Sequence, residues 1–180
     1  MTTIRPANLD DADALAQLAE QTFRDTFTLD DGTEDMDLYC RDSFSGDIQR
    51  QELLDTNYVT FVAEVDGKLV GFAQLLVLSH KESVDATCPA ELHRLYVLNG
   101  WQGQGVAQGL MNAVLAAAEG GGDGCVGESD TDIIWLGVWE HNPRAIRFYE
   151  KNGFKEVGEH VFQLGDDAQR DLLMAREIAR

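Results

Sequence analysis

Two short stretches of this chain carry residues whose types and spacing could do chemistry. The first is Gln102, Gly103, Gln104, Gly105, Val106 and Ala107. Small residues opening a helix leave main-chain N–H groups free to face a ligand, an arrangement suited to a pyrophosphate. Gly103 and Gly105 lack Cβ atoms, so the chain can turn tightly against phosphate oxygens, and Ala107 adds little bulk. The helix end contributes a partial positive charge, about 0.3–1 kcal/mol toward an exposed anion. The second stretch runs from Asn142 to Tyr149, directly after an apolar run. It places an amide at the head of a helix and a phenol upon it. A phenol has a pKa of about 10, so at neutral pH it keeps its proton and can donate it. Together the stretches describe a site that holds a phosphate-bearing cofactor and delivers a proton from Tyr149.

Regular elements must position those groups. Residues 3–7 read as a first strand. Asn8 and the acids after it open a helix carrying Leu15, Leu18, Ala19, Phe23 and Phe27 at near-helical spacing, which residues 30–33 break. Further helical turns are expected over 34–41 and 47–54, with a loop at Ser45 and Gly46. Residues 58–65 and 69–78 read as a hairpin around Asp66-Gly67. A polar loop over 80–87 leads to a strand over 91–98. A helix over 104–119 ends in the glycine-rich 120–124. Residues 133–139 read as a strand apolar on both faces. Asn142 suits an N-cap, Pro143 an N1 position and Gly153 a C′ position. Strands over 154–162 and 172–176, joined by a turn at 165–167, complete a mixed α/β order with several hairpins. No linker divides the chain, so residues 1–180 read as a single domain.

Bulk composition excludes several classes. The 180 residues suffice for one domain with a real core. No apolar run approaches the roughly 20 residues a membrane span needs, and the first residues lack a secretory h-region. The three cysteines, Cys40, Cys88 and Cys125, are scattered, and no Cys/His cluster suggests a metal site, so a reduced cytoplasm is expected. Fourteen Lys and Arg against 32 Asp and Glu give a net charge of −18. Nucleic acid is a poor partner for that surface, and a cationic small molecule a better one. The same acidity also serves simple solubility.

These residues resemble the GNAT family of N-acetyltransferases. Its cofactor motif, Gln/Arg-x-x-Gly-x-Gly/Ala, is matched by Gln102, Gly105 and Ala107. Its later motif, an apolar strand and then Asn-x-x-Ala-x-x-x-Tyr-x-x-x-Gly-Phe, is matched by Asn142, Ala145, Tyr149, Gly153 and Phe154. Residues 135–140, 158–162 and 165–174 are similar to one bacterial branch, the spermidine/spermine acetyltransferases also described as protease-synthase and sporulation regulators. Phe23 to Phe27 and Leu92 to Val97 share that likeness. The resemblance implies a mixed, mostly antiparallel central sheet with helices on both faces. In it two parallel neighbours splay apart, and the pantetheine arm of acetyl-CoA enters the gap.

It also implies roles. Acetyl-CoA would be the cosubstrate, held by Gln102 to Ala107, by Asn142 and Tyr149, and by the main chain of Leu95, Tyr96 and Val97. Tyr149 matches the position that protonates the departing CoA thiolate. Asn142 can bond the cofactor, cap its helix, or both. The acceptor would be a primary amine attacking directly, with a polyamine as one candidate. An amine of pKa about 10.4 reaches its neutral form at pH 7 only some 4–5 kcal/mol uphill, so a base or a water chain must take its proton. Glu91 is the first candidate, because some family members keep a catalytic Glu at the start of this strand. Strand alternation puts Glu91, His93, Leu95 and Val97 on one face, which makes His93 a second candidate. Either could equally be a structural polar group.

For the acceptor pocket, Phe23, Asp25, Thr26 and Phe27, followed by Glu34, Asp35 and Asp37, could form an aromatic and acidic wall for a cation. The same pattern fits an amphipathic helix whose Phe residues face the core. Two other readings stay open at this level. Gly103, Gly105 and Gly109 spell GxGxxxG, as in some dinucleotide-binding turns, although the next strand lacks the acidic residue that would hold a ribose. A Walker A loop is excluded because no Lys-Ser/Thr comes after the glycines. The chain could also bind acetyl-CoA or an amine as a regulator without turnover. Neither nucleic acid nor membrane is an expected partner, and a homodimer is allowed.

Overall fold

The computed structural model describes residues 1–26, 33–120, 131–164 and 167–178. Phe27, Asp30, most of the glycine-rich stretch after Glu119, Cys125 and the expected turn at 165–166 lie outside them. Among the described residues seven strands form one sheet: β1 (Thr3–Pro6), β2 (Tyr58–Val65), β3 (Lys68–Val77), β4 (Pro89–Val97), β5 (Ile133–Trp139), β6 (Lys155–Leu164) and β7 (Asp167–Glu177). Their order is β1-β2-β3-β4-β5-β7-β6. Every neighbouring pair is antiparallel except β4 and β5. A parallel pair needs a crossover, and the helix α4 (Val106–Ala118) supplies it.

Local chemistry explains most boundaries. Asp66 and Gly67 both have positive φ, 50° and 76°, and close the β2–β3 hairpin as the Asp-Gly pair requires. Asn8 and Asp11 form a capping box at the 3₁₀ turn Leu9–Asp11 that leads into α1 (Ala12–Thr26). α2 (Thr33–Phe44) and α3 (Gly46–Leu54) are nearly continuous. Ser45 is the N-cap of α3, so Gly46 is helical rather than part of a loop. α5 (Pro143–Lys151) has Asn142 as N-cap, Pro143 at its start, and Gly153 at φ 84° just past its end. β7 begins five residues earlier than its apolar pattern suggests. Its polar first half stays paired to β6, where Arg170 bonds Glu159.

Helices cover both faces. On one, Leu110, Met111 and Val114 of α4 pack on Ala73, Leu75, Ile134 and Leu136, and α5 leans on the same cluster through Ile146, Phe148 and Tyr149. On the other, Leu15 and Phe23 of α1 and Phe44 of α2 pack on Val62 and Phe72. Each such fully buried side chain contributes about 1.5–3 kcal/mol.

The sheet is incomplete at its centre. β4 and β5 pair only at Pro89–Ile133, Ala90–Ile134 and Glu91–Trp135. Past that point β4 remains paired to β3, and β5 to β7, on their outer edges only. The two parallel strands therefore part, as the splayed sheet requires.

Candidate active site

The gap sorts the expected cofactor residues. Leu98 N–H reaches Val70 O on β3 at 3.0 Å. Main-chain groups alternate in direction along a strand, so those of Tyr96 also turn to β3, while those of Leu95 and Val97 turn into the gap. The Tyr96 main chain is thus committed to the sheet, and its ring packs edge-on to Phe72 and Phe44 on the far face. Of the three strand residues expected at the pantetheine, Leu95 and Val97 face the right way.

The glycine turn adjoins the end of β4. Gln102 Nε2 donates to Val97 O at 2.9 Å, and Gln104 Nε2 donates to Gly100 O at 2.7 Å. Gly103 and Gly105 have φ of 77° and 84°, and a Cβ at either would meet nothing within 4 Å. Gly105 is the N-cap of α4 and offers no side chain to its first turn. Those N–H groups, beginning at Val106 and Ala107, are left for a ligand. Val106 itself is buried and anchors the turn. Arg144 of α5 donates to Gln102 Oε1 and brings a guanidinium to the turn. Arg144 is not among the residues the sequence motifs single out, although an Arg inside the Asn142 motif of so acidic a chain is a visible signal. Open left-handed glycines, an uncapped helix start and a nearby cation fit a pyrophosphate. Gly105→Val should raise the dissociation constant for coenzyme A at least tenfold. An L-residue in left-handed backbone costs about 1–2 kcal/mol, and the new side chain points into the open space. Calorimetry showing unchanged affinity would remove the turn from the site.

Gly109, the third glycine of GxGxxxG, serves packing. A Cβ there would lie 3.2 Å from the Ile4 side chain of β1. With one parallel pair in the sheet, the doubly wound dinucleotide fold is ruled out.

Asn142 caps α5, its Oδ1 accepting from Ala145 N–H at 3.1 Å. Tyr149 is partly buried, with ring centroids 5.6 Å from Phe148 and 5.9 Å from Phe154. Its hydroxyl makes no hydrogen bond among the described residues. Burial pushes the phenol above its ordinary acidity range, so it holds its proton firmly.

On the opposite face, Glu91 and His93 meet. Glu91 Oε1 lies 3.2 Å from His93 Nδ1, and Glu91 Oε2 accepts from Ser79 Oγ at 2.8 Å. Burial pushes the carboxyl up, but His93, Ser79 and Lys81 together outweigh it and hold Glu91 below the usual range. The expected alternation fails just beyond. The register between β3 and β4 shifts at Gln74/Leu75, leaving His93 as an extra residue between Leu92 and Arg94. This bulge reverses the facing of the later strand residues. Glu91 and His93 share a face, whereas Leu95 and Val97 pack into the core under α4.

Of the expected aromatic and acidic wall, Phe23 turns inward. Phe23 is 3 % exposed and stacks on Tyr39 at 4.7 Å, so it faces the core of an amphipathic helix. Asp25 is exposed and accepts from Asn99 Nδ2 at 3.0 Å, beside the glycine turn. Phe27 lies outside the described residues.

A second titratable pair lies on the Glu91 face. Asp171 of β7 stands opposite His160 of β6. Burial raises the Asp171 carboxyl from 3.8 to about 6, against a lowering by Lys81. The native carboxyl then holds its proton more tightly than the unfolded chain does. Its contribution to stability therefore falls as pH climbs from 3.8 to about 6, and stays lost above. Asp171→Asn should thus gain stability relative to wild type at pH 7.5 but not at pH 3.5. Urea unfolding at both values checks this, and an equal difference at both contradicts it. The other carboxylates titrate alike in both proteins and cancel.

Among the described residues no group of three or more His, Cys, Asp or Glu could hold a metal ion, and no helix is long and apolar enough to cross a membrane.

The splayed pair, the open glycine turn and the phenol beside them define an acyltransferase of the acetyl-CoA-dependent kind. Residues 56–156 match the family described as Acetyltransferase (GNAT) domain. An uncharacterized N-acetyltransferase of Lactobacillus delbrueckii subsp. lactis is 33% identical over 162 residues, 89% of this chain and 88% of that protein. One of Mycobacterium tuberculosis is 34% identical over 168 residues, 93% of this chain and 98% of that protein. Among solved structures, the PaiA N-acetyltransferase of Thermoplasma acidophilum, in complex with coenzyme A, superposes with a TM-score of 0.75 at 20% identity. That match covers 98% of this chain and 99% of the other. The chain belongs to the GNAT acetyltransferases, and acetyl-CoA is its cosubstrate.

Proposed function

We propose that this enzyme moves the acetyl group of acetyl-CoA to a primary amine by direct attack, with residues 1–180 acting as one catalytic domain. The carrying observation is the gap between β4 and β5, which joins two differently equipped faces of one sheet. On the α4 and α5 face lie the glycine turn, Arg144 and Tyr149. On the other lie Glu91 and His93. When bound, acetyl-CoA supplies an activated acetyl thioester. The main chain of Leu95 and Val97, the turn from Gln102 to Ala107, Arg144 and Asn142 are the groups that would hold it.

The chain's own residues then manage protons. With its proton on Nδ1, His93 donates to Glu91 and leaves Nε2 as an acceptor. A base oriented by a carboxylate is a recurrent arrangement for removing a proton from a nucleophile. Glu91, held ionised, stabilises the imidazolium that results. Tyr149 keeps its proton until a thiolate departs. The net charge of −18 favours a cationic acceptor, and a polyamine is the small-molecule class that uses it best. Release of free thiol from acetyl-CoA, followed with polyamines, amino sugars, amino acids and peptides, tests the reading. A polyamine-dependent rate supports it. Thiol release with peptides alone would reject the polyamine, and no release with any amine would reject the whole reading.

A further inference from the structure

On the face that carries Glu91 and His93, just past the point where β4 and β5 part, the floor is a glycine. Gly137 is exposed, while its neighbours Leu136 and Val138 are buried. A Cβ on Gly137 would lie 3.1 Å from His160 Cε1 and 3.4 Å from Asp171 Oδ2. A side chain there would crowd both groups, so the glycine is what lets His160 and Asp171 close onto this strand. Gly137 is not in left-handed backbone, so conformation alone does not demand a glycine there.

The two side chains packed on this glycine lack partners. Asp171 Oδ1 and His160 Nδ1 are shut off from solvent and have no hydrogen bond among the described residues. An unmet buried polar group costs about 1–3 kcal/mol, and more when charged. Two on directly opposed residues call for an explanation. They do not satisfy each other, although they face across β6 and β7. Lys81 is near enough to influence both, but its ammonium sits over the Trp135 ring, 5.6 Å from the centroid, and forms no ion pair among the described residues. Burial first, and Lys81 second, favour the neutral form of His160, whose ring then has a lone pair to offer. A carboxylate and a neutral imidazole both accept hydrogen bonds. A group with a positive charge and three N–H donors would satisfy them together, whereas an anion would be repelled.

We propose that Asp171 and His160, packed against Gly137, seat the ammonium head of a primary alkylamine acceptor. This rests on the acetyltransferase reading and deepens it by assigning the acceptor subsite. Trp135 stands opposite Glu91, and Gly137 comes two residues later, about 7 Å along the strand. An amine held at Asp171 thus lies next to the Glu91–His93 pair and to the mouth of the gap.

The test titrates wild-type protein with n-butylamine and with 1,4-diaminobutane, with butyrate as the anionic control. Calorimetry gives affinity. The His160 Cε1–H resonance gives location, assigned among the four histidines with His160→Gln. Both amines should bind and move that resonance, and butyrate should do neither. Amine dissociation constants should rise at least tenfold in Asp171→Asn and in Gly137→Ala, with coenzyme A affinity within twofold of wild type. The alanine variant carries the test if the asparagine variant does not fold. Wild type that binds neither amine, or variants that bind them as tightly as wild type, overturn the proposal. Amine binding at His160 without any coenzyme A binding would instead sink the acetyltransferase reading and leave this subsite standing.

Discussion

Tyr149→Phe should lower kcat by about 10²–10⁴-fold, the usual worth of a positioned proton donor, and leave coenzyme A affinity and fold stability near wild type. The structure makes this substitution unusually clean. The hydroxyl bonds to nothing among the described residues, so removing it breaks no internal hydrogen bond. The ring keeps its contacts with Phe148 and Phe154. Burial holds the phenol above its ordinary range, so at neutral pH it is a donor and never a base. A loss confined to kcat, with KM for acetyl-CoA unchanged, is the signature of a group that acts only as the leaving thiolate forms. Steady-state kinetics with the best acceptor decide it. A variant that turns over at the wild-type rate would leave Tyr149 a packing residue, with water protonating the thiolate.

What the sequence made legible was chemistry enforced locally. Gly103 and Gly105 could be read because only glycine takes positive φ at little cost beside a ligand. Asn142, Pro143 and Gly153 could be read because caps depend on a few adjacent residues. The hairpin at Asp66 came from the same logic. The bulge at His93 is written only as a slip in phase, the polar pair His93-Arg94 between apolar Leu92 and Leu95, which a strict alternation overrides. It arises from register between β3 and β4, and two adjacent polar residues alone do not say on which strand an extra residue sits. Its consequence was a wrong facing for Leu95 and Val97. Phe23 was legible only as two alternatives, since an aromatic at helical spacing serves core and pocket equally well. Asp171 and His160 are illegible in the sequence for a related reason. Polar residues near a turn read as solvated, and nothing local says that two of them meet beside a glycine on a third strand. The acceptor side of the site is therefore a product of long-range pairing, and the cofactor side a product of short motifs.

The other large effect concerns what holds the bulged strand in place. Arg94 comes directly after the bulge and turns its guanidinium away from α4. Nη1 lies 2.5 Å from Glu52 Oε2 and 2.8 Å from Gln74 Oε1, and the cation stands 5.4 Å from the Phe44 ring centroid. Gln74 Nε2 donates to Glu52 at 3.1 Å and to Thr60 at 3.3 Å, so one network ties α3 to β2, β3 and β4. The Arg94 and Glu52 side chains are only 9% and 12% exposed. Charges this far from water gain little net stability as a pair, yet removing one strands the other. Arg94→Met should therefore destabilise the fold by about 3–5 kcal/mol, read from urea unfolding. Adding Glu52→Leu should restore most of that loss, because a dry apolar pair no longer carries an unpaired carboxylate. If the single variant unfolds at the wild-type denaturant midpoint, Glu52 is finding water, and the network is not what fixes α3. The double variant also separates stability from placement. With the fold recovered, any remaining fall in kcat would show that the Arg94 network, and not bulk stability, sets how the bulge presents His93.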